Sequence, residues 1–338
     1  MITSPKSVAI SVVIPVFNGA GYLEQTLMSL LAQEFLDFEV VCVNDSSTDD
    51  SLSILEHFAT IDSRIKVYTK PNGGNAAKAI NYGLKFASGR YFMYSSQDDL
   101  YSKDLLEKSY NKACELNADA VIPNLVYYYV DLDLKNKTNE IISESQNILT
   151  GKEAFILSLD WKIHGFVLWS MQTVRNLGFF DYGLNSDEYT TRMLFFNSKK
   201  VVFSNGIFFY RQNNPNAITQ KWSIKLLDYI DTNKKLVDFL NGNGFPKVEV
   251  LKVYKSILHD LIRIQLILNK NRKLLTRSVA IEAQQKIKEV FNAHRTEFNS
   301  IECNDQLSLF KLKLQSKSYI SFKSYCKLIQ VHQFLLKR

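Results

Sequence analysis

Apolar positions along the first hundred residues come in short unbroken runs separated by stretches with helical spacing. "VAISVVIPVF" (8–17) is rich in Val and Ile without alternation, the pattern of a strand buried on both faces in a parallel sheet. In "GYLEQTLMSLLAQ" (21–33) Tyr22, Leu23, Leu27, Leu30 and Leu31 share one helical face. "FEVVCVND" (38–45) predicts a second strand. "SSTDDSLSILEHFA" (46–59) opens on Ser and Asp that can cap a helix carrying Leu52, Leu55 and Phe58. "RIKVYTK", "NAAKAINYGLKFA" and "RYFMYSS" predict a third strand, a third helix and a fourth strand. Strand and helix thus alternate with short links to residue 100, which predicts a doubly wound α/β unit on a parallel sheet.

Beyond that point the pattern changes. Residues 103–117 read as a helix and "ADAVIPNLVYYYV" as a strand, followed by a polar excursion, "DLDLKNKTNEIISESQN", expected to be an exposed loop. "HGFVLWSM" and "KVVFSNGIFFYRQ" read as strands around a helix near "SDEYTTRMLFF". From about residue 222 the spacing is helical throughout, with a break at Asn241, Gly242 and Gly244 before "VLKVYKSILHDLIRIQLIL". The domains expected are therefore 1–220, with halves at about 1–100 and 101–220, and a helical region 221–338.

Charge sharpens that division. The net charge is +7, yet from Gln220 onward there are 22 Lys and Arg against 10 Asp and Glu, leaving an excess of five acids in the first 219 residues. Two parts of opposite balance imply two roles. Cys42, Cys114, Cys303 and Cys326 are scattered, without C-x-x-C or metal-ligand spacing, and are expected to be reduced structural thiols. No apolar run approaches the roughly 20 residues that span a bilayer, and "MITSPKSVAI" has no signal-peptide pattern, so a cytoplasmic location is expected.

Ligands of doubly wound sheets lie outside the carboxyl ends of the strands. Those ends read "PVFN", "VNDSS", "KPNGG" and "SSQDD", all polar or glycine-bearing. Asp98 and Asp99 stand side by side after an apolar strand, where two carboxylates repel by roughly a few kcal/mol at an effective dielectric near 20. A cation would remove that repulsion; a capped turn is the simpler account of the same residues. "NGGNAAK" lacks the spacing of a P-loop, and "PVFNGAG" lacks the G-x-G-x-x-G order of a dinucleotide binder.

Taken in order, "SVVIPVFNGAGYLEQTLMSLLAQ", "EVVCVNDSSTDDS", "KPNGGNAAKAINYGLKFASGRYF" and "SQDDL" resemble glycosyltransferase family 2, inverting sugar transferases of the GT-A fold. The resemblance covers roughly residues 9–220. It implies that Pro15, Val16, Phe17 and Asn18 lie along the nucleoside. Asp45 would bond the base, with Asn44 and Ser46 departing from the family's usual Asp and Gly. Asn72 and Gly74 would line the nucleotide and Lys78 would contact the sugar nucleotide. Where the family reads D-x-D-D this chain has Ser96 first, so Asp98 and Asp99 would hold Mn²⁺ or Mg²⁺ against the donor's diphosphate. Asp187 or Glu188, preferred over Asp181, would be the base that takes the acceptor's proton. Trp161, His164 and Trp169 fall where acceptor contacts are usual, although buried core aromatics explain them better. Arg211, in "FFYRQNNPNAIT", is expected near the diphosphate and acceptor.

The activity implied is transfer of a sugar from a nucleoside diphosphate, UDP by preference, to a hydroxyl of a glycan or lipid-linked acceptor in cell-surface polysaccharide synthesis. The alternatives are a catalytically degenerate member that binds nucleotide or a partner subunit, and a nucleotidyltransferase on a related fold, disfavoured because its glycine-rich basic first loop is missing. The basic region from 222 lies outside the resemblance. It is expected to rest on the inner face of the plasma membrane, to pack on the catalytic part, or to pair two copies; no nucleic-acid motif is present.

Overall fold

The computed structural model describes residues 8–128, 138–139, 148–212, 214, 222–301 and 306–335. They form two compact units, one of the described residues up to Tyr182 with Ser186–Asn214, the other of Gly183–Asn185 with the described residues from Trp222 onward.

The first unit begins as the apolar pattern predicts. Strands β1 (Ile10–Val16) and β2 (Phe38–Asn44) are almost wholly buried, joined through α1 (Ala20–Leu31). Helix α2 (Ser51–Ile61) leads to β3 (Ile65–Thr69), and α3 (Ala76–Gly83) to β4 (Tyr91–Tyr94). All four strands are parallel, in the order β3-β2-β1-β4. Each fully buried Val, Ile or Leu contributes roughly 1.5–3 kcal/mol, and Leu23, Leu27, Leu30, Leu55 and Phe58 from the helices close over the strands as their spacing predicts.

The sheet then departs from the all-parallel expectation. After β5 (Leu100–Tyr101) and α4 (Leu105–Leu116) comes β6 (Ala120–Tyr128), with β7 (Thr138–Asn139) paired to it. That two-residue strand lies inside the segment expected to be an exposed loop, most of which falls outside the described residues. Then follow β8 (Ile148–Leu149), α5 (Gly151–Ser158), β9 (Leu168–Ser170), α6 (Met171–Leu177), α7 (Ser186–Asn197) and β10 (Val201–Arg211). Strand β9 is shorter than the run that predicted it and pairs antiparallel with both β4 and β6. Strand β10 runs parallel to β6, and β5 pairs antiparallel with β10, so the sheet, of ten strands among the described residues, is mixed. The ladder between β6 and β10 breaks opposite Pro123, which has no N–H to donate.

The second unit is helical, as expected from residue 222: α8 (Asp228–Gly242), α9 (Lys247–Asn271), α10 (Arg277–Ala293), α11 (Arg295–Asn299), α12 (Gln306–Ser316) and α13 (Tyr319–Leu335). The expected break is present, since α8 ends at Gly242 and Gly244 takes a φ of 67°. Val253, Ile257, Leu261 and Leu268 of α9 are buried at helical spacing, and the ring of Phe291 meets those of Phe298 and Phe322. No helix among the described residues is long and apolar enough to cross a membrane. Cys42 and Cys326 are buried free thiols, each pushed up to about 12 by burial, and Cys114 is an exposed free thiol; Cys303 lies outside the described residues.

Candidate active site

The loops after β1, β2 and β4 are tied to one another by side chains that grip backbone. Gln97 receives the Phe17 N–H at 2.8 Å and donates to the Phe17 carbonyl at 3.1 Å. Asn18, in the left-handed region at φ 50°, accepts from the Thr48 N–H at 2.8 Å, while its own N–H reaches Ser47 Oγ at 3.1 Å. Ser46 also holds a left-handed φ of 61°, which explains why glycine suits that position in the pattern the chain resembles. Pro15 and Val16 end β1, and the Val16 carbonyl accepts the Asp45 N–H at 2.8 Å.

Asp45 is buried and already engaged. Its Oδ1 accepts from Lys70 Nζ at 2.6 Å and from the Gly73 N–H at 2.8 Å, and its carbonyl accepts from Asn72 Nδ2 at 2.9 Å. Asn72 in turn holds the N–H of Gly74, whose φ of 81° bends the loop. Asn75 caps α3 by accepting from the Lys78 N–H at 3.0 Å, and Lys78 itself is exposed.

The two acids after β4 part company. Strand β5 pairs Leu100 with Phe209 and Tyr101 with Phe208, and continuing that register sets Arg211 beside the acids. The Arg211 N–H donates to Asp99 Oδ1 at 3.0 Å and its Nε to the Asp98 carbonyl at 2.8 Å. Its guanidinium also reaches Gln25 at 2.9 Å and lies over the rings of Tyr22 and Tyr128, at 4.3 and 4.8 Å. Arg211 is thus a buried clamp on the acidic turn, beside the residues expected to meet the diphosphate.

Asp99 is wholly buried, with Oδ2 unbonded. Burial first, and the neighbouring Asp98 second, lift its carboxyl well above the usual range. Of the two acids expected to hold a metal, Asp99 thus faces the interior and Asp98 the solvent side. Asp98 is partly exposed, accepting from Ser96 Oγ and, at 2.7 Å, from Asn214 Nδ2. A carboxylate oxygen has further lone pairs beyond one such bond, and a hard divalent cation binds through one or two carboxylates with water and phosphate completing its shell. Asp98 therefore fits such an ion; no cluster of three or more His, Cys, Asp or Glu fit for a metal occurs among the described residues.

Asp187 and Glu188 begin α7. Asp187 lies in a recess, touching solvent at part of its surface yet largely stripped of hydration. Burial first and the charge of Glu188 second raise its carboxyl from 3.8 to about 7, against the pull of the first helical N–H groups and Arg192. Glu188 lies 3.6 Å from Arg192, whose guanidinium stacks on Trp161 at 4.2 Å. Asp181 is exposed at its side chain, and its carbonyl accepts from Asn75 at 2.9 Å.

Two tyrosine hydroxyls feel the charge of these acids. Tyr94, at the end of β4, meets Thr191 of α7 at 3.3 Å, and its hydroxyl is shifted upward by burial and then by the charge of Asp187. The Tyr210 hydroxyl is shifted upward by burial, then by the charges of Asp99 and Asp98, and also by Glu188. Gly165 allows α7 this close, because a Cβ there would lie 2.8 Å from Thr191.

Of the aromatic positions, only Trp161 faces solvent. Trp169 is fully buried against Phe195, with ring centroids 4.8 Å apart, and His164 is buried with Nε2 2.8 Å from the Pro123 carbonyl. Burial pushes the His164 imidazole down to about 4, which keeps it neutral. Both are buried in the core. Gln97, Lys70, Tyr94 and Tyr210 were not singled out from the sequence; Gln97 and Lys70 stand within the quoted strand ends, but their partners are distant along the chain.

The model of the family described as "Glycosyl transferase family 2" matches residues 11–211. Glycosyltransferase GlyA of Streptococcus pneumoniae is 28% identical over 262 residues, which is 74% of this chain but 37% of GlyA. GlyG of the same organism is 28% identical over 274 residues, covering 74% of this chain and 88% of GlyG. Among solved structures, S. aureus TarS residues 1–349 in complex with UDP-GlcNAc superposes with a TM-score of 0.60 at 18% identity, over 87% of this chain and 82% of that one. The fold is GT-A, and the loops that Gln97, Asn18 and Asp45 tie together fall within the matched span: the chain belongs to glycosyl transferase family 2.

Proposed function

We propose that the protein transfers a sugar from a UDP-sugar to a hydroxyl of a glycan or lipid-linked acceptor, inverting the anomeric centre, in cell-surface polysaccharide synthesis. The observation that carries this reading is a partly exposed Asp98 after β4 together with a partly buried Asp187 at the start of α7, whose carboxyl is raised to about 7 by burial and by Glu188. A base that must take a hydroxyl proton at neutral pH works best with a pKa near that pH. Asp187 accepts the proton as the acceptor oxygen attacks, and Glu188, held by Arg192, keeps its affinity for that proton high.

Asp98 would hold Mn²⁺ or Mg²⁺, which supplies positive charge against the departing diphosphate. Asp99 and Arg211 set the turn that presents Asp98. The UDP preference rests on Asp45. Its Oδ1 is taken by Lys70 and Gly73, and Oδ2 makes no hydrogen bond among the described residues. One open acceptor suits the single ring N–H of uracil better than the two-donor edge of guanine. TarS, of the same fold, binds UDP-GlcNAc.

The test is release of sugar from a panel of UDP- and GDP-sugars with Mn²⁺, in wild type, Asp98→Asn and Asp187→Asn. Release from UDP-sugars by wild type alone is expected. Nucleotide binding without release in wild type would make the protein a binding subunit, and pyrophosphate exchange a nucleotidyltransferase.

A further inference from the structure

The last 33 residues, from Gln306, hold seven Lys and Arg and no acid. Helix α13 turns Phe322 and Cys326 inward, both fully buried, and leaves Ile320 79% and Leu328 63% exposed. Ile320, Ser324 and Leu328 follow at four-residue spacing and so form one outward stripe. Lys317 and Lys327, also exposed, lie on that side, and no acid of the described residues pairs with either. Leu314, Lys317, Tyr325 and the stripe line a groove of about 380 Å³. A lone exposed aliphatic needs no explanation. Two in line, beside lysines that no acid of the described residues pairs with, do.

We propose that this face of α12 and α13 docks on the surface of an anionic lipid bilayer. Ile320 and Leu328 enter the boundary between headgroups and acyl chains, and Lys317 and Lys327 meet lipid phosphates. With 17 residues and two lysines within it, α13 is suited to lie in the membrane plane and not to span it. Charge complementarity selects the lipid over other occupants. A nucleic-acid backbone would satisfy the lysines but leave both aliphatic side chains in water, and a second copy of the face would bring like charges together. The inference is independent of the transferase reading, because docking is measured without donor or acceptor.

The experiment floats the full chain with vesicles of phosphatidylcholine mixed with phosphatidylglycerol, against phosphatidylcholine alone, at low and high salt. Binding is expected to the mixed vesicles and to weaken with salt. The double substitution Lys317→Gln/Lys327→Gln is expected to lower the partition constant roughly thirtyfold. Ile320→Ser/Leu328→Ser should lower it about tenfold with the salt slope unchanged. All four side chains are exposed, so both variants are expected to melt with wild type. Equal binding to neutral vesicles, or mixed-vesicle binding that neither variant weakens, would overturn the proposal. So would binding to duplex DNA without vesicle binding, or a dimer that Ile320→Ser/Leu328→Ser converts to monomer while no vesicle is bound.

Discussion

Replacing Asp187 by Asn is expected to make the protein both more stable and inactive. In the folded chain burial, then Glu188, raise this carboxyl from 3.8 to about 7. A rise of about three pH units, at ~1.4 kcal/mol per unit, sets an upper bound of roughly 4 kcal/mol for ionising Asp187 in place. Solvent at part of its surface reduces this, so about 2–4 kcal/mol is the expected range. The sign follows from linkage: the folded state holds the proton more tightly than the unfolded state, so the penalty is absent below about pH 4. It grows as pH rises through the window from about 4 to about 7 and is constant above it. Asn never ionises, so its advantage follows the same curve, about 1 kcal/mol at pH 5 and the full amount at pH 8. Urea unfolding of wild type and Asp187→Asn at both pH values measures it. The wild-type kcat/KM should fall tenfold per unit below about pH 7, and Glu188→Gln should move that fall to lower pH by removing one cause of the shift. An Asn variant no more stable at pH 8, or equally favoured at both pH values, would mean an ordinary solvated carboxyl, and the base assignment would lose its physical ground.

Three further outcomes are expected. Asp98→Asn should lower kcat on the order of 10²–10³-fold and abolish the tightening of UDP binding by Mn²⁺ in calorimetry, with little change in unfolding; an unchanged Mn²⁺ response would remove Asp98 as the ligand. Arg211→Lys should lose the bond to the Asp98 carbonyl, the Gln25 contact and the stacking on Tyr22 and Tyr128. We expect about 2–3 kcal/mol of stability lost and activity reduced at an unshifted pH profile, since the arginine positions the turn without touching the proton in flight. Gly151→Ala would place a Cβ 2.0 Å from the Ser198 carbonyl oxygen and 2.4 Å from that of Phe195. Because both are backbone atoms of the region closing α7, a loss of about 3 kcal/mol is expected in denaturant unfolding.

What the chain discloses and what it hides have separate physical causes. β1 and β2 were legible because strands covered on both faces need unbroken Val and Ile, and α1 and α9 because a buried stripe repeats every 3.6 residues. Strand β9 was not legible in its direction: three residues carry no signal of whether their partners run parallel, and those partners lie in β4 and β6, far away in sequence. Asp98 and Asp99 illustrate the same limit at the scale of chemistry. Adjacent in the letters, they lie in the turn between β4 and β5, where the hydrogen bonds of the fold and not the sequence decide which way each side chain faces. Asp98 stays partly exposed while Asp99 is buried, where the Arg211 N–H meets it. Residue type also fails to separate Trp169, packed on Phe195, from Trp161, stacked under Arg192 and open to solvent. Gln97 and Lys70 escaped because their meaning is relational: a Gln is a clamp only once Phe17 lies beside it, 80 positions away in sequence. The neutral-range carboxyl of Asp187 is relational too, created by burial and by Glu188, so the residue with the most specific chemistry is the one whose chemistry the letters alone could least express.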